Sequence, residues 1–185
     1  ALGAITAKAG ETVSITGSYF NVVADVTVGG VSVSDLKIAN DGSGITFTLP
    51  AEAPDGDILL VCKSGVEVPV GTLTTIKPTE CVAAPNPVKA GQTLNISGKD
   101  MDVVTTVRFD GAGDVAVENP AADKVTVTVP ETATEGKLKL VMANGSEIEV
   151  AFTLVKPTVT GYNVNPASAG SPLQITGTNL DLVKD

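Results

Sequence analysis

The sequence predicts an all-β chain made of repeated two-sheet sandwiches, and three observations carry that expectation. One block recurs three times: AGETVSITGSYF from position 9, AGQTLNISGKDM from 90 and AGSPLQITGTNL from 169. Within each block apolar and polar residues alternate, as a strand buried on one face requires. Hydrophobic residues make up 43% of the 185 positions and aromatics only 3%, so Val, Ile and Thr must build the core. Branching at Cβ suits those residues to a pleated surface.

The period is the first thing to fix. Gly10 and Gly91 stand 81 residues apart, and Gly91 and Gly170 stand 79 apart. Pro50 and Pro130, Gly56 and Gly136, and Lys77-Pro78 and Lys156-Pro157 keep nearly the same step. The strand after each leading glycine points Val13 and Ile15, Leu94 and Ile96, or Leu173 and Ile175 to one side. Gly17, Gly98 and Gly177 close those strands, and an apolar plug follows three residues later: Phe20, Met101 and Leu180. DVTVGGVSV reads as a hairpin around Gly29-Gly30, with TVRFDGAGDVAV as its looser counterpart. GITFTLP and KVTVTVP put Ile45, Phe47 and Leu49, and Val125, Val127 and Val129, on the core side, and Pro50 and Pro130 stop both strands. Two further hairpins turn at Ser64-Gly65 and Asn144-Gly145. No window carries helical periodicity. About seven strands in each 80-residue repeat is what a sandwich of two antiparallel sheets needs.

The expected units are residues 1–78, 79–157 and the start of a third copy at 158–185, which supplies only its first two strands. Lys77-Pro78-Thr79 and Lys156-Pro157-Thr158 lead from one repeat almost directly into the next. Proline limits φ and no Gly/Ser tract intervenes, so neighbouring units are expected in a restricted orientation, as a semi-rigid rod.

Charge narrows the function classes. With 21 acidic against 12 basic residues the net charge is −9, which repels phosphate backbones and argues against nucleic acid as a partner. The longest apolar run falls well short of the about 20 residues that span a bilayer, so no direct membrane insertion is expected. No leader or lipidation motif stands at Ala1, and an exported protein would already have lost one. The register of KLKLVMA, where Lys137 and Lys139 must face water, turns Leu138, Leu140 and Met142 inward. By the same register Ile58, Leu60 and Cys62 point inward, with Cys62 a buried small hydrophobe. Cys81 falls in the next repeat, so a Cys62–Cys81 bridge is not expected.

At this point the motifs resemble a known family. The order T-[VL]-x-I-[TS]-G-x-x-[FML], then V-x-[VF]-[GD]-G, then a strand ending T-[LV]-P, then Gly and L-[KL]-V, resembles the IPT/TIG domains. KPTVTGYNVNPASAGSPLQITGTNL shows the opening of the motif most clearly. The resemblance covers essentially the whole chain and implies tandem immunoglobulin-like β-sandwiches of the early-set (E-set) branch. That family is found in cell-surface receptors, in some transcription factors and as spacers in bacterial surface proteins, including glycan-binding ones. The acidic charge sets aside the transcription-factor branch. The resemblance thus implies an exported, extracellular or bacterial cell-surface protein. Its partners would be other domains of the same polypeptide or other surface proteins, with polysaccharide held through a neighbouring domain.

Nothing in the sequence forms a catalytic set. The chain has no His, which removes triads and zinc sites as usually built. Asp55 with Asp57 and Asp100 with Asp102 project to the same side by period two, but read first as soluble loop residues. No cofactor is expected. Calcium is the one ion the sequence leaves open, at the Asp-Gly turns DGSG from 41 and DGD from 55. Sugar recognition usually stacks rings on exposed aromatics, and Tyr19 and Tyr162 are the candidate ligand or interface residues. Asn95-Ile96-Ser97 and Asn144-Gly145-Ser146 are glycosylation sequons, the second already explained by its hairpin turn.

Two functional expectations follow. In the first, the chain is a non-enzymatic spacer that presents a binding domain. In the second, it is a self-associating adhesin or filament subunit whose incomplete third repeat is completed by strands from a neighbouring chain.

Overall fold

A computed structural model describes residues 3–163, 166 and 168–183; positions 184 and 185 of the expected third copy lie outside them. The first repeat holds β1 (Ala4–Ala7), β2 (Thr12–Thr16), β3 (Val23–Val28), β4 (Val31–Ser32), β5 (Ser34–Ile38), β6 (Gly44–Thr48), β7 (Gly56–Cys62) and β8 (Glu67–Thr75). The second holds β9 (Thr79–Ala84), β10 (Thr93–Lys99), β11 (Val104–Phe109), β12 (Gly113–Ala116), β13 (Lys124–Thr128), β14 (Gly136–Met142) and β15 (Glu147–Phe152). Then come β16 (Thr158–Tyr162) and β17 (Ile175–Thr178).

Each of the first two repeats is a sandwich of two sheets. In the first, β1-β8-β7-β3-β4 faces β2-β6-β5. In the second, β12-β11-β14-β15 faces β9-β10-β13. The predicted alternation sets the register: Val13 lies opposite Phe47 and Ile15 opposite Ile45, just as Leu94 lies opposite Val127 and Ile96 opposite Val125. Those apolar residues all point into the gap between the sheets, where β3 and β7, or β11 and β14, supply the facing layer. Two separate buried clusters result, one drawn from residues 7–73 and one from residues 83–152. Phe109 and Phe152 meet edge to face in the second, with ring centroids 5.4 Å apart.

The recurring glycine ahead of each plug has a steric reason. A Cβ on Gly17 would stand 2.5 Å from the Phe20 ring, and one on Gly98 would stand 2.8 Å from both Met101 Sδ and the Thr79 carbonyl. On Gly177 it would stand 2.1 Å from the Thr158 carbonyl. The plug folds back beneath its glycine through a single 3-10 turn, seen at Phe20–Val22, Met101–Val103 and Leu180–Leu182. These turns are too short to leave a helical pattern in the sequence.

Several expectations change. Cys62 is only half-buried, whereas its counterpart Met142 is buried. Both sit at the rim of their sandwich, but Met142 borders the cleft against the first repeat, whereas among the described residues no other unit packs over Cys62 at the end of β7. Both cysteines are free. The strand β5 was not foreseen, and the equivalent stretch of the second repeat, 117–123, forms no strand. In the third copy Leu173 and Ile175 are 52% and 49% exposed, because no strand like β6 or β13 covers them among the described residues.

Separate cores should melt separately. Phe109→Ala is expected to cost the second repeat about 3–5 kcal/mol. In calorimetry one thermal transition should drop while the other holds its position; a single transition shifting as a whole would show that the two cores unfold together.

Candidate functional site

The polar side chains that reach between repeats gather at the junctions. Only Ile76, Lys77 and Pro78 separate β8 from β9. The turn before Gly10 carries Lys8, and the 3-10 turn of the second repeat carries the acidic pair. The Lys8 ammonium lies 2.8 Å from Asp100 and 2.7 Å from Asp102. Hydrogen bonds to Asp100 first, then Asp102, raise the Lys8 pKa above its ordinary value, against an opposing contribution from burial. Asp100 stands where the backbone turns left-handed, at φ 56°. That bend is tolerable for Asp, whose short polar side chain lowers the cost.

A second polar chain runs beside this one. Asn144, on the β14–β15 hairpin loop, donates to the Ala53 carbonyl and to Thr75 Oγ1, each at 3.3 Å. The Thr75 hydroxyl donates in turn to Asp55 at 2.6 Å, and the Thr75 amide reaches the same carboxylate at 2.7 Å. Lys77 pairs with the other Asp55 oxygen at 2.9 Å. The Thr75 hydroxyl and amide, then Lys77, hold the Asp55 carboxyl at a pKa of about 2. Between the polar chains lies a cleft of about 260 Å³, lined by residues that include Ala9, Ile76, Val103 and Met142. Polar contacts from Lys8 and Asn144 thus span this junction beside the cleft.

The next junction repeats the design. Lys89 pairs with Asp181 at 3.1 Å, and Lys156 with Glu135 at 2.5 Å. Hydrogen bonding to Lys89 lowers the Asp181 pKa, and hydrogen bonding to Lys156 lowers that of Glu135. A cleft of about 490 Å³ lies there too, bordered by Ala90, Leu154 and Leu182 among others.

The residues singled out in the sequence are placed as follows. Tyr19 is 81% exposed on the 3-10 turn of the first repeat, in left-handed backbone at φ 63°. Tyr162 is 57% exposed on β16, so the two tyrosines stand on different repeats. Asp100 and Asp102 do come together, on Lys8. Asp55 is engaged by Thr75 and Lys77 rather than paired with Asp57. In the DGSG turn, Asp41 accepts from the amide and hydroxyl of Ser43 at 3.0 and 2.6 Å, and its pKa falls accordingly. Among the described residues, no three His, Cys, Asp or Glu side chains converge as a metal site would need. The junction lysines escaped the sequence reading. Their signal is the Lys two residues before the first repeat glycine, in VKAG as in AKAG.

Fold and junctions together define a tandem array of immunoglobulin-like sandwiches joined end to end by polar contacts. No family model matches the chain. The contact site A protein of Dictyostelium discoideum is 24% identical over 185 residues, covering 91% of this chain and 35% of that protein. The chain thus spans about a third of that relative's length. Similar solved structures include the Bacteroides ovatus SGBP-B of a mixed-linkage glucan utilization locus, in complex with a mixed-linkage heptasaccharide. That likeness has a TM-score of 0.37 and 18% identity, over 90% of this chain and 48% of that one. The plexin A4 extracellular region is similar with a TM-score of 0.44 and 19% identity, over 97% and 17% of the two chains.

Acid should reveal the Asp55 network. Its folded pKa lies below the ordinary value of 3.8, so its stabilisation is complete above that value and is lost as pH falls toward about 2. The side chain is 42% exposed, so after solvent screening the contribution is about 1 kcal/mol. Asp55→Asn should therefore flatten the fall in melting temperature between pH 4 and 2, as followed by circular dichroism.

Proposed function

We propose that this chain is a non-enzymatic spacer of an exported surface protein, in which IPT/TIG-like sandwiches hold a separate binding domain at a set distance. The observation that carries the reading is the junction: a three-residue connection, Ile76 to Pro78, flanked by Lys8–Asp102 and Asn144–Thr75 contacts. Short linkers crossed by side-chain contacts restrict orientation, which a spacer needs and a flexible tether lacks. The carboxylates at the junctions are held by lysines and hydroxyls, an arrangement suited to architecture rather than proton transfer. Among the described residues no helix is long and apolar enough to cross a membrane. Polysaccharide, the ligand class named for the glucan-locus structure, is assigned to a neighbouring domain. The spacer needs neither cofactor nor calcium.

Small-angle scattering tests the spacer directly. A single elongated distance distribution is expected; a broad distribution typical of beads on a string would overturn it. Calorimetric titration with mixed-linkage glucan oligosaccharides is expected to give no heat. Binding abolished by Tyr19→Ala or Tyr162→Ala would move the ligand site onto this chain.

One observation favours a second reading, a self-associating adhesin or filament subunit. Leu173 and Ile175 are about half exposed where Leu94 and Ile96 are fully buried, so a strand from a second copy could cover them. Light scattering separates the two readings: a monomer at all concentrations supports the spacer, and concentration-dependent polymers support the subunit.

A further inference from the structure

The two junctions use the same residues at the same repeat positions. The donor lysine stands two residues before the first repeat glycine, as Lys8 and Lys89. The acceptor carboxylate stands four residues after the second, as Asp102 and Asp181. At both junctions the lysine belongs to the upstream unit and the carboxylate to the downstream one. The pairing therefore has a direction.

The remaining copies of each position break the pattern. In the first repeat the acceptor turn carries Tyr19 and Asn21 in place of Asp100 and Asp102. In the third copy the donor position is Ser168. The charged pair is thus confined to the junctions that join the first unit to the second and the second to the third. Tyr19 also occupies left-handed backbone where the other copies place Asp100 and Asn179, the residue types that bear such a φ most easily. The first repeat's turn has kept the backbone of a docking seat and exchanged its chemistry.

We infer that the lysine and the turn carboxylates form a docking code. A unit end bearing lysine at this position seats only on a 3-10 turn that offers a carboxylate. The turn of the first repeat, carrying Tyr19 and Asn21, accepts no lysine-bearing end. The partner that fits the second and third turns is therefore a sandwich end of the Lys8 or Lys89 kind, and the orientation of each unit on the next is fixed. This inference rests on the spacer reading, because it supplies the means by which neighbouring sandwiches keep one orientation.

Geometry favours the lysine as the deciding group. The Lys8 side chain is only 17% exposed and is shared between two carboxylates. The cleft beside it is lined by Ala9, Ile76, Val103 and Met142 from both repeats, so Lys8 sits at the edge of the surface where the units meet. Removing the carboxylates would leave that sheltered ammonium without its anions, a mismatch that opens the junction.

Amide residual dipolar couplings measured on the full chain test the code, since two units held rigidly share one alignment tensor. The parent chain should give one tensor for the first and second repeats. Lys8→Glu should split them into two tensors of different magnitude as the units move independently. Asp100→Tyr with Asp102→Asn, which gives the second turn the chemistry of the first, should split them equally. Lys8→Glu combined with Asp100→Asn and Asp102→Lys, which removes the second carboxylate that touches Lys8 as well, should restore one tensor. Unchanged amide shifts in each core guard against a folding defect. Two tensors in the parent would overturn the spacer reading and the code with it. One tensor in the parent and still one in Lys8→Glu would overturn the code alone, as would failure of the reversed pair to restore coupling.

Discussion

In both complete sandwiches the chain must leave one sheet and enter the other just after β2 or β10, and the space beneath Gly17 or Gly98 permits that step. A residue without a side chain stands at the strand's end, just after β2 as Gly17 and next to last in β10 as Gly98. The backbone bends left-handed at Tyr19 or Asp100, and the plug returns under the glycine to close the end of the core. A side chain on Gly98 would meet Met101 and the Thr79 carbonyl together, so strand pairing and core closure compete for one small volume. Because the plug tucks inward, the residues around it are turned outward. Phe20 and Met101 are buried, while Tyr19 and Asp102 stand at the end of the sandwich.

That end is where units meet, so the crossover links the core to the junction. The turn that seals the second core also offers Asp100 and Asp102 to Lys8. The β14–β15 hairpin loop delivers Asn144 to Thr75 from the same end. Surface ion pairs taken singly contribute about 0–1 kcal/mol. Here two ion pairs on Lys8 and the Asn144 hydrogen bonds act together across one short linker, and a small bias suffices to choose among orientations. Elsewhere the charges have a more local part. Lys137 and Lys139 pair with Glu149 and Glu147 across β14 and β15, keeping the outer face of the sheet polar.

The first strand of each unit shows how one pattern is used in two ways. In the second repeat β9 pairs antiparallel with β10, and further on Val88 bridges Leu154 in parallel, so the chain serves both sheets. In the first repeat β1 pairs in parallel with β8 through Ala4–Ala7. Ala7 and Val88 hold equivalent places: the amides of Ile76 and Val155 donate to their carbonyls. The edge of β2 that corresponds to the β9-covered edge of β10 carries no strand among the described residues.

The sequence by itself determined what depends on near neighbours. Alternation chose the buried faces of β2, β6, β10 and β13, and glycine-containing turns placed the hairpins. The steady step of 79 to 81 residues marked the repeats. Such features are legible because a strand's two faces are set by a period of two within a few residues. The 3-10 turns were too short for any period, and β5 depends on a partner strand rather than on its own pattern. Tertiary structure alone decided that Cys62 is half-buried at the end of β7 while Met142 is buried beside a neighbouring unit. It alone set Lys8 against a carboxylate 94 positions away. Contacts of that range carry no local signature; they exist only once two closed cores bring their ends together, and that is where the architecture of the array is decided.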